Sequence, residues 1–533
     1  GGAVMSAVPA PKSSGDVAPR VVSAAELAKH AEKADLWVAI DGVVYDLTAF
    51  QHIHPGGAIP LWQSAGQDVT DLFYSLHRAE ILQSPKYARL KIGVLEGWED
   101  RVTAKRTEPT AVPYGEAMGT WRQHSPYYNE SHRRFREAVR AFFDAEIRPT
   151  AAEDDEKGTP PSQELNLKMG QAGLIGAIFG SDTRVTERYA PPLPGGVAPA
   201  EFDEFHELIF SEEIKRLGTY GLADGLVGGT SIGLPPVLKF GSPELISRVA
   251  PEVLQGRKRA ALAISEPYVG SDVRHIRTFA ERSADGSHYI VTGVKKWITG
   301  GMFADYFTTL CVDKGGKGMV LLLVERDESV STKPIKTSYS AAAGTSYVEF
   351  EETRVPAENL IGKPGMGLIY ALSNFNKERW GMVAGGNQLS RLMVAECFKW
   401  AVQRDVFGKK LIEQPVIRHK LAAMAAEVES VHSLLEDLTY QMTQLPEDEV
   451  DKILAGPIAL LKYKQTRCAT LIADNACQIF GGRALTRTGM GQYVEKYQRS
   501  YKMQAILGGS EEILADFAIR QALKSIDPTT ARL

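Results

Sequence analysis

The chain places a histidine on a tight corner, in the stretch HPGGAIPLW that begins at His54. Pro55 keeps His54 out of the helical region, and the two glycines that follow remove side-chain bulk, so a large planar ligand can approach the backbone there. A second histidine, His77, ends a short helical pattern downstream. Two neutral imidazoles on opposite faces of a porphyrin would fill both axial positions of its iron, which favours electron transfer over oxygen chemistry. Either histidine alone would be typical of an exposed loop, whereas the pair indicates a heme site.

A second set of polar residues lies much further along the chain. AISEPYVGSDV, residues 263–273, contains Ser265, and KKWITGG, residues 295–301, contains Trp297 and Thr299. Loops of this kind can present backbone amides, hydroxyls and an aromatic wall to a flavin ring and to a thioester carbonyl. Each stretch alone is equally typical of a plain strand and turn.

Hydrophobic periodicity predicts a multidomain α+β protein whose elements position these residues. Alternation in LWVAIDGVVYDLT predicts two strands joined at Asp41-Gly42. Short strands later give way to long amphipathic helices, whose length indicates a bundle. The predicted segments are a flexible tail at 1–20, a small α+β domain at 21–98, a linker at 99–119, a helical domain at 120–257, a β domain at 258–365, a helical bundle at 366–526 and a tail at 527–533.

Composition limits the classes of partner. The 533 residues carry a net charge of only −4, so a nucleic-acid partner is not indicated, and no apolar run approaches the ~20 residues of a membrane span. The four cysteines have no CxxC spacing, which favours a reducing compartment and argues against a disulfide framework or a cysteine zinc site. The ending ARL is a variant of the peroxisomal address Ser-Lys-Leu, so we expect a peroxisomal protein, with mitochondria as the second choice.

Residues 21–98 resemble a cytochrome b5-type heme domain. HPGG and FYSLH match its two ligand motifs, and VVYDLTAF matches the strand and turn before the first. The resemblance implies heme b held by His54 and His77. His52 is a competing ligand candidate, although only His54 fits the motif.

The region from 120 to 526 resembles the acyl-CoA dehydrogenase family, through the two loops above and through QRDVFGKKL, QIFGG and GGSEEIL. The resemblance implies an N-terminal helical domain, a middle β-barrel, a C-terminal four-helix bundle and FAD as cofactor. The FAD contacts it implies are Ser265, Ser271, Trp297, Thr299, Arg404, Phe407, Gln414, Gln478, Gly481, Gly482 and Ser510.

Several of these residues have particular expected roles. Arg404 and Phe407 would hold the diphosphate and adenine side across a subunit boundary, since guanidinium binds phosphate through two parallel hydrogen bonds. Ser510 would cap the last helix and contact the cofactor. The sequence departs from the family pattern at Pro415, where glutamine is usual, and in GGRAL, which lacks the usual asparagine-glycine-aromatic ending. The adenine side is therefore open to rearrangement.

The sequence also departs from the pattern of most family members at the position of the catalytic base. Most members of the family carry a glutamate at the position of Gly508, which has no side chain. Enzymes that resemble the isovaleryl- and long-chain-specific members place this glutamate on a long helix before an arginine, and FNKERWG supplies Glu378 and Arg379 there. A helix-face glutamate is usually solvated, but the glycine at 508 favours the catalytic interpretation of Glu378. Burial near the acyl chain should raise its pKa toward the working pH.

The resemblance implies a complete reaction and a set of partners. Glu378 would take an α-proton while the β-hydrogen leaves as hydride to flavin N5, which converts a fatty acyl-CoA to a trans-2-enoyl-CoA, as in β-oxidation. Ser271, Asn376 and Arg379 would contact the coenzyme A portion. We expect a homodimer or homotetramer and an external electron acceptor, with electrons passing from flavin to the fused heme; inward delivery and a docking role for the heme are alternatives.

Two other function classes remain open on the sequence. One is a flavoprotein oxidase or dehydrogenase of the same fold that acts on a branched or specialised thioester or on a non-thioester substrate. The other is a non-enzymatic relative associated with nucleic acid, against which the net charge of −4 speaks.

Overall fold

The computed structural model describes residues 20–98, 112–117, 124–524 and 526. Its elements belong to two compact units, one N-terminal and one containing residues 112–402. The predicted tail at 1–20 lies almost wholly outside the described residues, as do most of the predicted linker and the ending ARL. The peroxisomal address stays a prediction, as do the predicted domain limits.

The N-terminal unit is built on a five-stranded sheet in the order β1-β5-β4-β3-β2, in which β1 and β5 pair in parallel and the other neighbours are antiparallel. Its strands are β1 Val21–Val22, β2 Ala31–Glu32, β3 Asp35–Ile40, β4 Val43–Asp46 and β5 Lys91–Leu95. Its helices are α1 Ala24–Leu27, α2 Ile59–Ser64, α3 Thr70–Leu76 and α4 Glu80–Gln83. Short 3-10 turns at Phe50–His52 and Pro85–Leu90 complete the unit.

The predicted hairpin at Asp41-Gly42 joins β3 and β4. Asp41 has φ 48° and Gly42 has φ 67°. Two successive left-handed residues form the tight turn whose twist matches that of paired strands. Strand β3 is buried on both faces: Leu36, Val38 and Ile40 pack toward one core, whereas Trp37 and Ala39 pack toward another. The sheet therefore gives rigid support to the segments that carry His54 and His77.

A helical region opens the second unit. Its α-helices are α5 Glu130–Glu146, α6 Arg148–Lys157, α7 Gln163–Gln171, α8 Thr183–Tyr189, α9 Glu204–Lys215, α10 Gly221–Ala223, α11 Gly229–Gly233, α12 Pro235–Phe240 and α13 Pro243–Leu254. A π-helical turn, Asp224–Gly228, separates α10 from α11. Such turns are rare in proteins, and those that occur are often found at functional sites. Phe135, Val139 and Phe143 lie at helical spacing on α5 and are fully buried, so this helix packs through one apolar stripe.

A curled seven-stranded sheet follows, where a small barrel is predicted. Its strands are β6 Ala260–Ala263, β7 Phe279–Arg282, β8 His288–Ile298, β9 Tyr306–Asp313, β10 Met319–Glu325, β11 Val330–Pro334 and β12 Ser346–Pro356. The order is β10-β9-β7-β8-β12-β11, and β6 pairs with β9 in parallel. The ends of β6 and β8 meet because the backbone amide of Lys296 donates to the carbonyl of Ser265 at 2.8 Å.

Long helices form the C-terminal region: α14 Gly367–Leu372, α15 Phe375–Gln403, α16 Pro415–Gln444, α17 Glu447–Ile453, α18 Ala455–Phe480, α19 Gln492–Ser500 and α20 Glu511–Leu523. The short strands β13 Asp405–Val406 and β14 Lys409–Lys410 pair in the turn between α15 and α16. In the part of the chain that the structure describes, we find no helix long and apolar enough to cross a membrane.

Candidate active site and heme pocket

His54 and His77 lie together in the N-terminal unit. Their ring centroids are 5.9 Å apart with an interplanar angle of 48°. Each ring pairs its Nδ1 with a backbone carbonyl, Gly57 O at 2.7 Å for His54 and Phe73 O at 3.3 Å for His77. These bonds orient both rings and leave Nε2 as the ligand atom of each. Two imidazoles this close together fit the two axial positions of one heme iron.

The surroundings of the two histidines also fit a heme. A side chain at Gly56 would place its Cβ 2.9 Å from the His54 ring, so the glycine makes room for the imidazole. Burial lowers the pKa of His77 against a smaller raising effect of the Phe73 carbonyl, and the nearby His54 lowers it further, which favours the neutral form that binds metal. Four exposed apolar side chains lie in the same segments, as an apolar macrocycle requires: Ile53, Ile59, Leu72 and Leu76.

A buried ion pair fixes the two loops of the β domain to each other. Lys295 Nζ donates to Glu266 Oε1 at 2.9 Å and to the carbonyls of Ile264 and Leu310, and Lys295 is fully buried. Glu266 also accepts from the backbone amides of Arg277 and Thr278. The pair locks the loop of Ser265 onto the strand of Trp297. The sequence interpretation missed this role of both residues, whose only signal was a charged residue at an inward strand position.

Trp297 and Thr299 lie at the end of β8. The indole of Trp297 is half exposed, and its backbone is in the left-handed region with φ 66°. Thr299 lies close to the backbone of Gly228 in the helical region, because a Cβ at Gly228 would be 3.3 Å from Thr299 Cγ2. The loop therefore offers an aromatic face and a hydroxyl beside backbone that has no side-chain bulk, and these groups fit a flavin. Ser271 is exposed on the preceding loop.

Glu378 lies in the first turn of α15. The side chain of Asn374 donates to Glu378 Oε1 at 3.1 Å, so the carboxyl group is held in one orientation. Burial raises the pKa of Glu378 to about 7, against smaller lowering effects of the Asn374 hydrogen bond and the Arg379 charge. A carboxylate with a pKa near neutrality is suited to remove a carbon-bound proton.

We expect the rate of substrate-dependent flavin reduction to rise with pH through a single step near 7, because only the ionised carboxylate of Glu378 accepts a proton. The measurement is kcat/KM, or its single-turnover equivalent, between pH 5 and 9. Lys462 provides the control, because burial and the Arg379 charge lower its pKa to about 7 as well. Lys462→Arg keeps a donor that does not titrate in this range. A rate that falls with pH, or a step that vanishes in Lys462→Arg, contradicts the assignment.

The loop at Gly508 is held by two cations. Arg379 Nε donates to the Gly508 carbonyl at 3.0 Å, and the buried Lys462 Nζ donates to the carbonyls of Leu507 and of Gly509, the latter at 2.8 Å. Gly508 has φ 66°, and a Cβ on it would lie 2.8 Å from Met382 Sδ. Met382 therefore fills the space that a side chain at 508 needs. Only the three-dimensional packing identifies Met382 and Lys462 as supports of this site.

We expect Gly508→Ala to lower the thermal midpoint of the holoenzyme, because the left-handed backbone alone costs about 1–2 kcal/mol for a residue with a Cβ. Part of the loss should disappear in a Met382→Ala background, where the clash with sulfur is removed. Gly315→Ala is the matched control, because a Cβ at Gly315 meets no atom within 4 Å. Strictly additive midpoints for the Gly508 and Met382 variants would contradict the proposed contact.

The residues assigned to the dinucleotide lie on turns and helix ends of the C-terminal region. Phe407 is 96% exposed with φ 51°, in the turn that also carries Arg404. Gln414 directly precedes α16. Gln478 lies in the last turn of α18, and Gly481 and Gly482 follow that helix with open space around their Cα atoms. These roles stay predictions.

The expected helix cap is wrong, and two other site residues have protein partners. Ser510 occupies the N-cap position of α20, but its side chain makes no capping hydrogen bond. Its predicted contact to the cofactor stays a prediction. Asn376 donates to Asp451 Oδ1 at 3.0 Å and accepts from Arg379 at 3.1 Å. Their predicted contacts to coenzyme A stay predictions.

Fold and site together define a flavoprotein dehydrogenase with an attached heme domain. Four family models match the chain: the cytochrome b5-like heme/steroid binding domain over 23–96, and the N-terminal, middle and C-terminal domains of acyl-CoA dehydrogenase over 129–257, 261–353 and 365–523. The chain belongs to the acyl-CoA dehydrogenase family and carries an N-terminal cytochrome b5-like domain. It is an oxidoreductase that acts on CH–CH bonds, binds FAD in the dehydrogenase domains and binds heme in the N-terminal domain.

Individual relatives agree with this assignment. The chain is 37% identical to the acyl-CoA dehydrogenase apdG of Emericella nidulans, over 78% of this chain and 96% of that protein. It is 35% identical to the acyl-CoA dehydrogenase AFT10-1 of Alternaria alternata, over 78% and 97%. Among solved structures, the acyl-CoA dehydrogenase from Bacillus anthracis complexed with FAD superposes with a TM-score of 0.65 at 26% identity, over 75% of this chain and 69% of that one.

Proposed function

We propose that the protein oxidises a fatty acyl-CoA to the trans-2-enoyl-CoA, as in β-oxidation, with Glu378 as the base. The observation that carries this proposal is the partly buried Glu378 carboxyl, whose pKa is raised to about 7 and which is held by Asn374. Bound FAD supplies the acceptor for the β-hydrogen as hydride. The residues of this chain position the acyl thioester and remove its α-proton at the Glu378 oxygen.

We further propose that electrons leave the flavin one at a time through the heme. Two electrons arrive with each hydride, and an iron with two imidazole ligands accepts one, so two transfers follow each turnover. An iron with both axial positions filled by protein is suited to electron transfer rather than to binding oxygen. An external acceptor then reoxidises the heme. The fusion of both sites in a single chain supports this route.

The exposed Phe407 supports a homodimer or homotetramer. A phenyl ring that is 96% exposed in a strained left-handed residue has no stabilising role within a single chain. Three apolar residues of α20 are also exposed: Ile513, Ile519 and Leu523. Light scattering on the purified holoenzyme measures the mass, and a monomer at micromolar concentration would contradict this part of the proposal.

Anaerobic stopped-flow mixing of the oxidised full-length holoenzyme with acyl-CoA substrates tests both steps at once. We expect the yellow flavin band to bleach first and the heme to become ferrous afterwards, across a series from four-carbon to long-chain thioesters. A heme that stays ferric while the flavin bleaches would overturn the electron route and leave the dehydrogenase intact. A flavin that stays oxidised with every member of the series would overturn the dehydrogenase proposal.

A further inference from the structure

Two glycines lie on the face of α15 that carries Glu378, beside Met382, whose side chain is turned to the Gly508 loop. Gly381 and Gly385 follow Glu378 by three and seven residues, which places them on the same side of the helix. A Cβ at Gly381 would meet no atom within 4 Å, so open space lies directly beside the base. Gly385 lies two turns on, about 10 Å along the axis. We call the space along Glu378, Gly381 and Gly385 the acyl channel.

A lysine crosses the far end of this channel. A Cβ on Gly385 would be 2.9 Å from Lys215 Cγ and 3.3 Å from Lys215 Cε, so the aliphatic stem of Lys215 rests on the glycine backbone. Lys215 Nζ then donates to Asp224 Oδ1 at 2.8 Å. Both side chains are largely buried, with 16% and 19% of their surfaces exposed. A long apolar side chain at 385 would displace this lysine, which explains the glycine.

The backbone of Gly228 separates Asp224 of the ion pair from Thr299, a predicted flavin contact. Asp224 begins the π-helical turn, and a Cβ on Gly228 at the end of that turn would be 3.3 Å from both Asp224 Cβ and Thr299 Cγ2. Four elements therefore converge here: α9, the π-helical turn, the loop after β8 and the face of α15 that bears the base. The pair is therefore largely buried between these elements and is not an isolated surface contact.

The chemistry of the pair limits what fits against it. Among the described residues, the Lys215–Asp224 bond is the one hydrogen bond that the structure gives to either charged group. An unsubstituted hydrocarbon end would displace water from both charges without forming a hydrogen bond to either, which is unfavourable. A hydroxyl could donate to the carboxylate and accept from the ammonium group. Because the two charges cancel, a second carboxylate on the substrate would meet no net attraction.

We propose that the Lys215–Asp224 pair closes the distal end of the acyl channel and selects acyl chains that carry a hydroxyl group there over unsubstituted chains. This inference rests on the proposed acyl-CoA dehydrogenation and names a substrate class for it. The selective interaction is a pair of hydrogen bonds to one hydroxyl oxygen, one from Lys215 and one to Asp224.

The test moves a single hydroxyl group along the acyl chain of the substrate and uses the FAD-loaded full-length protein. kcat/KM is measured for octanoyl-CoA and for derivatives with one hydroxyl at successive carbons from the fourth to the last, and calorimetry gives Kd for the matching trans-2-enoyl products. We expect one position to exceed octanoyl-CoA by about tenfold to hundredfold in kcat/KM, with a parallel change in Kd. The double variant Lys215→Met/Asp224→Leu should lose this preference, because both hydrogen-bonding groups are removed. It should still fold, because neither charge is left unpaired.

Lys168→Met/Glu146→Leu is the matched control, because it removes a 3.0 Å ion pair elsewhere in the same helical region. It should retain the hydroxyl preference. The proposal is overturned if no hydroxylated chain exceeds octanoyl-CoA in the unmodified protein, or if the double variant keeps the preference. If the double variant loses FAD, the substrate series measured on the unmodified protein tests the proposal. These failures differ from failure of the dehydrogenase proposal, in which no acyl-CoA bleaches the flavin.

Discussion

Glu378→Gln is expected to abolish the bleaching of the flavin by acyl-CoA on the stopped-flow timescale and to lower kcat/KM by about 10²- to 10⁴-fold. Glutamine has the size of glutamate, and its carbonyl oxygen can still accept the hydrogen bond from the Asn374 side chain, which is 3.1 Å long in the structure. The variant therefore removes the proton acceptor and keeps the local packing. FAD content and the thermal midpoint should stay close to those of the unmodified protein.

The matched control is Glu396→Gln, which lies on the same helix. Glu396 is buried and bonded to Lys399 Nζ at 3.1 Å, far along α15 from the base. We expect the control to bleach normally with acyl-CoA. Equal rates for the two variants, or bleaching of Glu378→Gln at the unmodified rate, would show that another group takes the α-proton.

The sequence predicts Glu378 as the base from two positions considered together, and this assignment stays a prediction. A glycine at 508 removes one candidate, and a glutamate at 378 supplies the other. The supports of this arrangement could not be inferred. Met382 fills the space above Gly508, and Lys462 holds the adjoining carbonyls, yet nothing in either local sequence marks these contacts between distant segments. Packing between helices decides them.

Short sequence motifs were sufficient to predict features that depend only on neighbouring residues. The hairpin at Asp41-Gly42 and the histidine before Pro55 follow from the conformational limits of one or two residues. The break between α14 and α15 did not follow, because apolar residues continue at helical spacing through Ser373 and Asn374. This break has a consequence for the site. It puts Glu378 in a first helical turn, where Asn374 can bond its carboxyl oxygen.

His54→Ala and His77→Ala are each expected to lose stable heme binding, with loss of the low-spin bis-imidazole spectrum, while acyl-CoA still bleaches the flavin. Each ring is held by a carbonyl on its Nδ1, so a substituted position cannot be filled by a neighbouring side chain without a new support. The two activities should separate because the histidines belong to the N-terminal unit and Glu378 to the other. Absorption spectra and the heme content per chain measure the effect.

His52→Ala tests the alternative ligand under the same conditions. His52 ends the 3-10 turn two residues before His54 and is exposed, whereas the ring of His54 is the one that lies 5.9 Å from that of His77. We expect His52→Ala to keep full heme content and an unchanged spectrum. If His52→Ala loses heme and His54→Ala keeps it, the ligand assignment is wrong. If both His54→Ala and His77→Ala keep a six-coordinate heme, the iron has other ligands, and the geometric argument for electron transfer through these two imidazoles fails with it.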